Sequence, residues 1–483
     1  MNRIVVALIL LAVIAVSAAG AYVLLNQTGT CNPQKATETT SSQLKATTFG
    51  AVTEYALPST GVWANAITVS PDGSVWFGEQ ALPGVAQYDP SSGQLTEYKW
   101  SCYATPQTSG PVTSIWGVTQ WNGRIWATDG DGNRLIGLDP TNGSLTYVNT
   151  TSATFPYLLT PAPDGSLWFT TLSTRPQLGR LGTDLSLTVY PVSGLGKEEP
   201  IQILFENSTL AYMVALNPES TTEEGGLYSF DPQTSTGTIV ANRVGGNFTL
   251  YFPDSLSESG NEIWITQHFP SNVVEYDLQT RVWTVYPTSL ASYSYTTLPY
   301  FVVATDSGIW FNEHYGNKIA LLDQTAGTMI EFSEADPPIT NGSEIQNDLT
   351  IALAQNGLWF TSTTADYLGF INGGATPSFS IQTASSNTLS LSPGGSTTVH
   401  FQLGGTWDDP LRVLVSDSEN ITSVPKLISI QPGSSALPAG AGPSDLPVTI
   451  SVAKSLPPGR YTIDVTVTDG LVCQTAFVFL TVT

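Results

Sequence analysis

Two of the three histidines, and a few carboxylates near them, have the side-chain chemistry for acid–base catalysis. His268 and His314 follow the similar segments Trp-Ile-Thr-Gln and Trp-Phe-Asn-Glu, so we expect them at equivalent places in neighbouring structural units. An imidazole beside a carboxyl group can transfer protons near neutral pH. Glu313, His314 and His268 are therefore candidate catalytic residues. The alternative is that both histidines are surface loop residues, and His400 lies too far along the chain to join them.

A second set of side chains offers oxygen ligands for a cation. Asp129, Asp131 and Asn133 alternate along Asp-Gly-Asp-Gly-Asn, as in the first half of a calcium loop, although Pro140 stands where such a loop has its bidentate Glu. The alternative is a hairpin turn in which glycine accepts a positive φ. The candidate metal ligands, for calcium or magnesium, are Glu79, Asp129, Asp131, Asn133 and Glu313. Beyond such a divalent cation the sequence points to no cofactor.

A repeated pattern must position these residues. Between residues 48 and 375 a short apolar run, a tight turn and a strand centred on an aromatic residue recur every 42 to 52 residues. The central residues are Trp76, Trp126, Trp168, Tyr212, Trp264, Trp310 and Trp359. Periods of about 40–50 residues with four short strands are typical of propeller blades. The sequence therefore predicts an all-β fold with a seven-bladed β-propeller over 48–375, in which the repeated Trp packs between blades.

The first and last repeats predict how the ring closes. Val52–Tyr55 reads Val-Thr-Glu-Tyr and resembles Leu95–Tyr98, which is an outer strand of the first repeat. The last repeat instead runs into Gly373-Gly374 without an outer strand of its own. We therefore expect the N-terminal strand to complete the last blade, because closure removes exposed sheet edges.

The period ends after residue 375, and alternating strands separated by Gly- and Pro-rich turns follow. About 100 residues of this kind predict an immunoglobulin-like β-sandwich over 376–483. It lacks the Cys and Trp pattern of antibody domains, and nothing in it suggests chemistry.

The N-terminus carries a hydrophobic segment. Ile4–Leu25 is a nearly uninterrupted apolar run behind Arg3, long enough to cross a bilayer as a helix. Residues 1–25 are predicted to be a transmembrane anchor or a signal peptide, and 26–47 a Ser/Thr-rich linker. Either alternative places the rest of the chain on the extracellular face of the membrane or in the medium, with the N-terminus inside if the anchor is retained.

Cysteines and sequons are consistent with export. Of Cys31, Cys102 and Cys473, the pair Cys102 and Cys473 is the expected disulfide, and the alternative is that all three are unpaired. Seven Asn-x-Ser/Thr sequons occur; beyond the one at Asn26, the candidate glycosylation sites are Asn142, Asn149, Asn207, Asn247, Asn341 and Asn420.

The charge excludes one class of partner. The chain has 39 acidic and 16 basic residues, a net charge of −23. No basic surface is available to replace counterions on phosphates, so nucleic acid is not an expected partner. Residues 48–375 hold 31 acidic and 9 basic residues, which places almost all of the excess in the predicted propeller. An acidic medium, in which carboxylates are protonated, would reduce this imbalance.

Three segments resemble the virginiamycin B lyases, which are streptogramin-opening seven-bladed propellers. They are Ser70–Glu79, Pro163–Thr170 and Trp310–Ile319, and the resemblance extends over about 50–375. It implies magnesium and acid–base chemistry based on a His before each inner strand and a Glu ending the Trp strand. The His positions here hold Asn65, Trp116, Tyr157, Ile201, Asp254, Tyr300 and Leu349. The Glu positions are acidic only at Glu79, Asp129 and Glu313.

Half of the groups that a C–O elimination requires are therefore missing. The sequence favours a non-enzymatic cell-surface protein that binds a cell-envelope protein or a glycan and reaches the membrane through its N-terminal helix. Aromatic-rich loops at Lys99–Thr113 and Thr288–Tyr300 suit such contacts, although loop packing would equally explain their composition. The alternative function is a magnesium-dependent streptogramin B-type C–O lyase.

Overall fold

A computed structural model describes residues 34–41, 43–81, 83–100, 114–150, 155–173, 175–217, 224–244, 248–268, 271–289, 297–334, 348–363, 365–418 and 427–483. Within these ranges all regular structure is β, as the sequence predicts. None of them contains a helix that could cross a membrane, and the hydrophobic segment 1–25 lies outside them.

Three short strands come first, followed by sheets of sequential antiparallel strands. The first three are β1 (Thr37–Ser41), β2 (Ala46–Phe49) and β3 (Val52–Ala56). Sheet 1 is built from β4 (Ala64–Val69), β5 (Val75–Glu79), β6 (Gly84–Asp89) and β7 (Gln94–Lys99). Sheet 2 is built from β8 (Val118–Trp121), β9 (Arg124–Asp129), β10 (Arg134–Leu138) and β11 (Leu145–Asn149). Sheet 3 is built from β12 (Pro156–Pro161), β13 (Leu167–Thr171), β14 (Gln177–Leu181) and β15 (Leu187–Pro191).

The next four sheets repeat this arrangement. Sheet 4 has β16 (Glu199–Phe205), β17 (Ala211–Leu216), β18 (Glu224–Asp231) and β19 (Thr236–Ala241), with the small β20 (Arg243–Val244) and β21 (Phe248–Tyr251) added through β18. Sheet 5 has β22 (Pro253–Ser259), β23 (Glu262–Gln267), β24 (Asn272–Asp277) and β25 (Trp283–Pro287). Sheet 6 has β26 (Pro299–Thr305), β27 (Gly308–Glu313), β28 (Lys318–Asp323) and β29 (Thr328–Ser333). Sheet 7 has β30 (Asp348–Ala354), β31 (Gly357–Ser362) and β32 (Tyr367–Asn372).

The first strands of the sheets form a closed circuit. Each contacts the first strand of the next sheet, and β30 of sheet 7 contacts β4 of sheet 1. The aromatic residue that recurs in the second strand lies inside the packing between sheets, since all six Trp side chains at this position are at most 4% exposed. Hydrophobic burial between neighbouring sheets therefore holds the circuit together.

The N-terminal segment closes this circuit from outside. β3 pairs antiparallel with β32, with Val52 opposite Ile371, and so supplies the fourth strand of sheet 7, as the sequence predicts. β2 extends the same sheet and β1 extends sheet 1 through β7. Residues 35–56 thus run along the outer edges of sheets 2, 1 and 7 and cover them.

Removing two methyl groups from this closing strand tests its contribution. Val52 is fully buried against the core shared by sheets 6 and 7. We expect Val52→Ala to lower the free energy of unfolding by about 2 kcal/mol. The neighbouring Thr53→Ala, on the more exposed face of the strand, should change it by less than about 0.5 kcal/mol. Urea denaturation measures both, and equal effects would contradict the role of β3 as the closing strand.

The remaining strands form the C-terminal sandwich. In chain order they are β33 (Phe379–Thr383), β34 (Thr388–Leu391), β35 (Ser396–Trp407), β36 (Leu411–Asp417), β37 (Ile428–Pro432), β38 (Ala436–Leu437), β39 (Gly440–Ala441), β40 (Ser444–Val452), β41 (Gly459–Thr468) and β42 (Val472–Val482). One face has the order β33-β35-β40-β37, and the other contains β42-β41-β36-β38. A single apolar core lies between them.

The sandwich is joined to sheet 6 by backbone hydrogen bonds. β42 pairs antiparallel with β29, with Glu331 opposite Cys473, so one continuous sheet crosses the junction. Phe477 packs edge-on against Tyr286 of sheet 5 at a centroid distance of 5.4 Å. The sequence did not predict this pairing, because strands separated by about 150 residues carry no local signal for each other.

Candidate functional site

Most of the residues at the predicted His positions lie near β-bulges. Among the described residues, the first strands of sheets 1, 3, 4, 5, 6 and 7 each shift register near their beginning. A bulge bends the strand and redirects a side chain. It therefore redirects Tyr157 in sheet 3, Asp254 in sheet 5 and Tyr300 in sheet 6.

In sheets 3 and 5 a threonine of the Trp strand holds the bulge in place. Thr266 Oγ1 accepts a hydrogen bond from Ser255 N (3.2 Å) and donates one to the Tyr300 carbonyl of the next sheet (2.7 Å). Thr170 repeats both contacts in sheet 3. The Thr in the repeated Trp-x-Thr segment thus satisfies buried backbone groups and sets the position of the residue that faces the site. This role of the threonine was not among the predictions from the sequence.

Four side chains at the predicted His positions and the two candidate histidines form a cluster that we call the His–Tyr cluster. Its members are Trp116, Tyr157, Asp254, His268, Tyr300 and His314. The Tyr157 and Tyr300 hydroxyls are 2.5 Å apart, although they belong to sheets 3 and 6, which are not neighbours in the circuit. The contact therefore spans the axis. Trp116 packs on Tyr157 at a centroid distance of 5.4 Å and adds a third aromatic ring to this contact.

The two candidate catalytic histidines lie within this cluster. The rings of His268 and His314 are 4.9 Å apart at an interplanar angle of 18°, and Tyr300 lies against both. Glu313 does not join them, although it is adjacent in sequence, because its side chain is buried beside Lys318. His400 is exposed on the sandwich and lies 2.9 Å from Asp445.

Asp254 is the partner of His268. Asp254 Oδ2 lies 2.9 Å from His268 Nδ1, and both residues are at most 5% exposed. Burial raises the pKa of Asp254 well above its usual range and lowers that of His268 to about 3. Burial also lowers the pKa of His314, with a further contribution from His268. The imidazoles are therefore neutral at physiological pH and can accept or donate a proton, or donate a lone pair.

The carboxylates predicted as metal ligands lie outside the cluster, and three of them, Glu79, Asp129 and Glu313, lie beside basic side chains. Glu79 is buried and paired with Lys99, whose ammonium also lies 3.0 Å from Glu97. Burial raises the pKa of Glu79 to about 7 despite the opposing effect of Lys99. The Lys99 ammonium thus occupies the place where a cation would be held.

Sheet 6 contains an equivalent arrangement. Lys318 Nζ lies 3.2 Å from Glu331 and 3.6 Å from Glu313, and all three side chains are at most 2% exposed. Burial and the neighbouring Glu331 raise the pKa of Glu313 well above its usual value. Glu331 corresponds to Glu97 on the outer strand, but the lysine comes from β28 in sheet 6 and from β7 in sheet 1.

The Asp129–Asn133 segment folds as a turn rather than as a calcium loop. Asp129 accepts a hydrogen bond from Arg134 Nε (2.6 Å) and one from Gly132 N (2.9 Å). Asp131 accepts from Ser114 Oγ (2.6 Å), and burial raises its pKa. Asn133 has a positive φ of 49° and its Oδ1 accepts a hydrogen bond from a backbone N–H across the loop.

The predicted cation site is therefore not formed by these residues. Glu79, Glu313 and Asp129 are each neutralised by a lysine or an arginine, and within the described ranges no group of three or more His, Cys, Asp or Glu is placed to hold a metal ion. The magnesium that the family resemblance implies does not fit them. The basic residues beside these carboxylates were not predicted from the sequence; they are Lys99, Arg134 and Lys318. Basic residues are scarce in this acidic chain, and that scarcity was the one sequence feature that could have drawn attention to them.

Only some residues of the remaining site predictions lie within the described ranges. Cys473 is buried with Sγ 3.5 Å from Thr468 Oγ1, while Cys102 lies outside the described residues, so their disulfide stays a prediction. Three sequon asparagines are exposed on turns or strand ends, and they are Asn142, Asn149 and Asn207. The others, Asn26, Asn247, Asn341 and Asn420, lie outside the described residues. Most of the two aromatic-rich loops also lies outside them.

Comparison with known proteins identifies the fold. Residues 35–217 match the virginiamycin B lyase family. A streptogramin B lyase structure aligns with a TM-score of 0.53 at 18% identity, covering 66% of this chain and 97% of that chain. Virginiamycin B lyase from Staphylococcus aureus aligns with a TM-score of 0.52 at 16% identity over 66% of this chain and 98% of that chain. No curated protein matches the sequence significantly.

A further S. aureus structure is a catalytically inactive His-to-Ala variant of virginiamycin B lyase with quinupristin. It aligns with a TM-score of 0.53 at 16% identity over 66% of this chain and 98% of that chain. At such low identities the likeness concerns the course of the backbone and not the chemistry. The chain thus contains a β-propeller of the virginiamycin B lyase type, a likeness that holds at the level of the fold.

Proposed function

We propose that sheets 1–7 form one closed seven-bladed propeller with an immunoglobulin-like sandwich fixed to its sixth blade, and that this unit is a binding protein. It would work outside the cell, secreted or held by the N-terminal segment, and contact a protein or a glycan of the cell envelope. The fold supplies a rigid scaffold, on which loops can carry recognition.

The observation that carries the proposal is the internal neutralisation of the carboxylates. A magnesium-dependent elimination needs oxygen ligands free to hold the ion and a base near the substrate. Glu79 and Glu313 are instead buried beside Lys99 and Lys318. The resemblance also implies histidines before the inner strands, and Tyr157 and Tyr300 stand there in mutual contact across the axis. Two positions at which the resemblance implies histidine are thus occupied by tyrosines that contact each other.

The second candidate function is a streptogramin B-type C–O lyase. It is favoured by the Asp254–His268 pair with His314 beside it, because a carboxyl-oriented imidazole is a suitable general base. A lyase built on this cluster would have its base on the Trp strands of sheets 5 and 6. A histidine is also essential in the S. aureus enzyme, whose His-to-Ala variant is catalytically inactive.

An activity assay separates the two functions. The purified full chain is incubated with a streptogramin B and Mg²⁺, and ring opening is followed by mass spectrometry. We expect the rate to equal that of the antibiotic alone, because no described carboxylate cluster holds the ion. Ring opening that is lost in His268→Ala and retained in His400→Ala would establish the lyase and overturn the proposal.

The binding function has its own test. The full chain, immobilised, is exposed to solubilised envelope from the producing cells, and retained proteins and glycans are identified. We expect a specific partner that an excess of free chain displaces. A chain that retains nothing above an unrelated propeller, under conditions in which it is folded, would contradict the binding function.

A further inference from the structure

We propose that the outer edge of sheet 3, formed by β15 (Leu187–Pro191), is a docking site at which an extended segment of a partner protein adds as a further strand. The inference deepens the binding function proposed above and rests on it, because it names the surface and the class of partner. That partner is a polypeptide and not a glycan, since strand addition uses backbone hydrogen bonds.

The chain covers the outer edges of most other sheets with its own residues. β1 pairs with β7 of sheet 1, β3 and β2 extend sheet 7, and β42 pairs with β29 of sheet 6. Residues 34–36 form hydrogen bonds with Gly143 and Leu145 at the beginning of β11 in sheet 2, and β41 of the sandwich contacts β25 of sheet 5. Among the described residues no strand pairs with the free side of β15. Its edge is therefore open to another molecule.

β15 also lacks the charges that protect exposed strand edges. It reads Leu-Thr-Val-Tyr-Pro, without an acidic or basic residue. The covered outer strands β3, β7 and β29 do carry charges, namely Glu54, Glu97, Lys99 and Glu331. Natural proteins usually prevent strand addition with charged side chains, proline or a covering segment. Pro191 protects only the end of β15, so residues 187–190 remain available for pairing.

The register shows which backbone groups of β15 point outward. Just beyond the strand, Val192 N donates a hydrogen bond to the Pro176 carbonyl (2.9 Å), across the antiparallel pair of β14 and β15. Residues of such a pair alternate between facing the partner strand and facing away from it. The even-numbered residues of β15 therefore face β14, and Leu187 and Val189 present their N–H and C=O groups outward. These groups are the donors and acceptors that an added strand needs.

Packing against neighbouring sheets holds β15 in its extended conformation. Leu187 packs against the core shared by sheets 2 and 3, and Tyr190 stacks on Trp168 at a centroid distance of 5.6 Å. A binding edge that is already ordered lowers the entropic cost of association, because only the partner segment has to become ordered. β15 is thus a preformed template for a strand.

Sheet 5 offers a comparison within the molecule. Its outer strand β25 ends in the same Thr-Val-Tyr-Pro run as β15. There the sandwich supplies a covering segment, and Phe477 and Phe479 pack on Tyr286. Near β15, by contrast, Leu185 is 37% exposed, and Ile239 on β19 of the next sheet is 48% exposed. These two side chains favour a partner segment that carries apolar residues.

Selection from a random library of short linear peptides on phage, with the full chain immobilised, tests the proposal. We expect peptides whose affinity, measured by fluorescence anisotropy, falls about 10-fold or more in Val189→Pro. Proline removes the outward N–H of residue 189 and leaves the hydrogen bonds to β14 in place. Val189→Thr is the matched control, keeps this N–H and should bind each peptide as the unmodified chain does. Thr188→Lys, which adds a charge at an exposed position of the edge, should also weaken binding.

Circular dichroism and thermal unfolding first establish that each variant is folded, and Thr188→Lys serves alone if Val189→Pro is not. A library that yields no linear peptide would overturn the proposal, as would peptides that bind the edge variants as tightly as the unmodified chain. Dimers in sedimentation velocity that Val189→Pro abolishes would assign β15 to a second copy and overturn it too. An envelope protein or glycan retained equally by Val189→Pro would leave the binding function standing and overturn only this inference.

Discussion

The free energy of unfolding should be greatest at about pH 4–5 and fall as the pH rises through about 7. Asp464 is the clearest cause. It lies at the junction of the sandwich and sheet 6, is 2% exposed and accepts a hydrogen bond from Ser416 Oγ (2.6 Å). Burial raises its pKa to about 7, and Asp417 adds to the effect. Burial also raises the pKa of Glu79 to about 7.

The sign follows from where the protons bind. Both groups have ordinary pKa values of 3.8 and 4.5 when the chain is unfolded, so the folded protein holds these protons more tightly. Their contribution to stability is complete below the unfolded pKa and is lost as the pH rises through the folded pKa. The loss is on the order of 3 kcal/mol for each group, since one pKa unit corresponds to about 1.4 kcal/mol.

Carboxylates in the surface turns cause the free energy of unfolding to decrease at low pH. Asp89 accepts hydrogen bonds from Ser91 and Ser92, and these bonds lower its pKa. Asp139 and Asp277 are held in the same way. A lowered pKa contributes stability that is present above the unfolded value and is lost as the pH falls. Stability therefore declines again below about pH 4, and the maximum lies in the mildly acidic range that the charge imbalance first suggested.

Denaturant titrations at pH 4.5, 6 and 8 measure the effect. Asp464→Asn keeps the neutral form at every pH. The decrease in its free energy of unfolding between pH 4.5 and 8 should therefore be about 3 kcal/mol smaller than that of the unmodified chain. Asp184→Asn is the control, because Asp184 is in an exposed turn with a lowered pKa and should not alter the slope in this range. A stability that rises steadily to neutral pH would contradict the assignment of these buried protons.

Periodicity explains how much of the fold could be predicted. The aromatic residue recurs because each sheet must bury the same position against its neighbour, and the match of Val52–Tyr55 to Leu95–Tyr98 was enough to place β3 in sheet 7. The join between β29 and β42 has no such signal. Neither strand repeats a motif of the other, and what pairs them is the exposed edge of sheet 6 meeting the edge of the sandwich.

The candidate site shows the same division. The proximity of His268 and His314 follows from equivalent positions in adjacent repeats, which the sequence displays. The pairing of the carboxylates with lysines does not follow from equivalent positions in the repeats. Lys99 and Lys318 reach corresponding places from different strands, so alignment of the repeats does not pair them with Glu79 and Glu313. Only the packed structure shows that Glu79 and Glu313, which the sequence offered as metal ligands, lie beside Lys99 and Lys318.

Replacing Lys318 by methionine should lower the free energy of unfolding by about 3–5 kcal/mol. The Lys318 ammonium lies between Glu331 and Glu313 and donates to the backbone carbonyl and Oγ of Ser289 (3.1 and 2.9 Å). Burial opposes its charge, but the two carboxylates outweigh burial and raise its pKa. Without Lys318 the carboxylates remain buried and uncompensated. The loss should be larger at pH 8 than at pH 5, because protonation relieves it.

Two further variants show whether the stability lost in Lys318→Met comes from the charge of the lysine or from the packing of its side chain. Changing Glu313 and Glu331 to Gln in the Lys318→Met background removes the uncompensated charges, so most of the lost stability should return. Lys99→Met in sheet 1 should cost only about 1–3 kcal/mol, because Lys99 is 16% exposed and water can solvate what remains. If the triple variant is as unstable as Lys318→Met at pH 8, the lysine acts through its hydrocarbon chain and not through its charge. If it recovers, the charge of the buried ammonium, and not its hydrocarbon chain, stabilises sheet 6 by compensating Glu313 and Glu331.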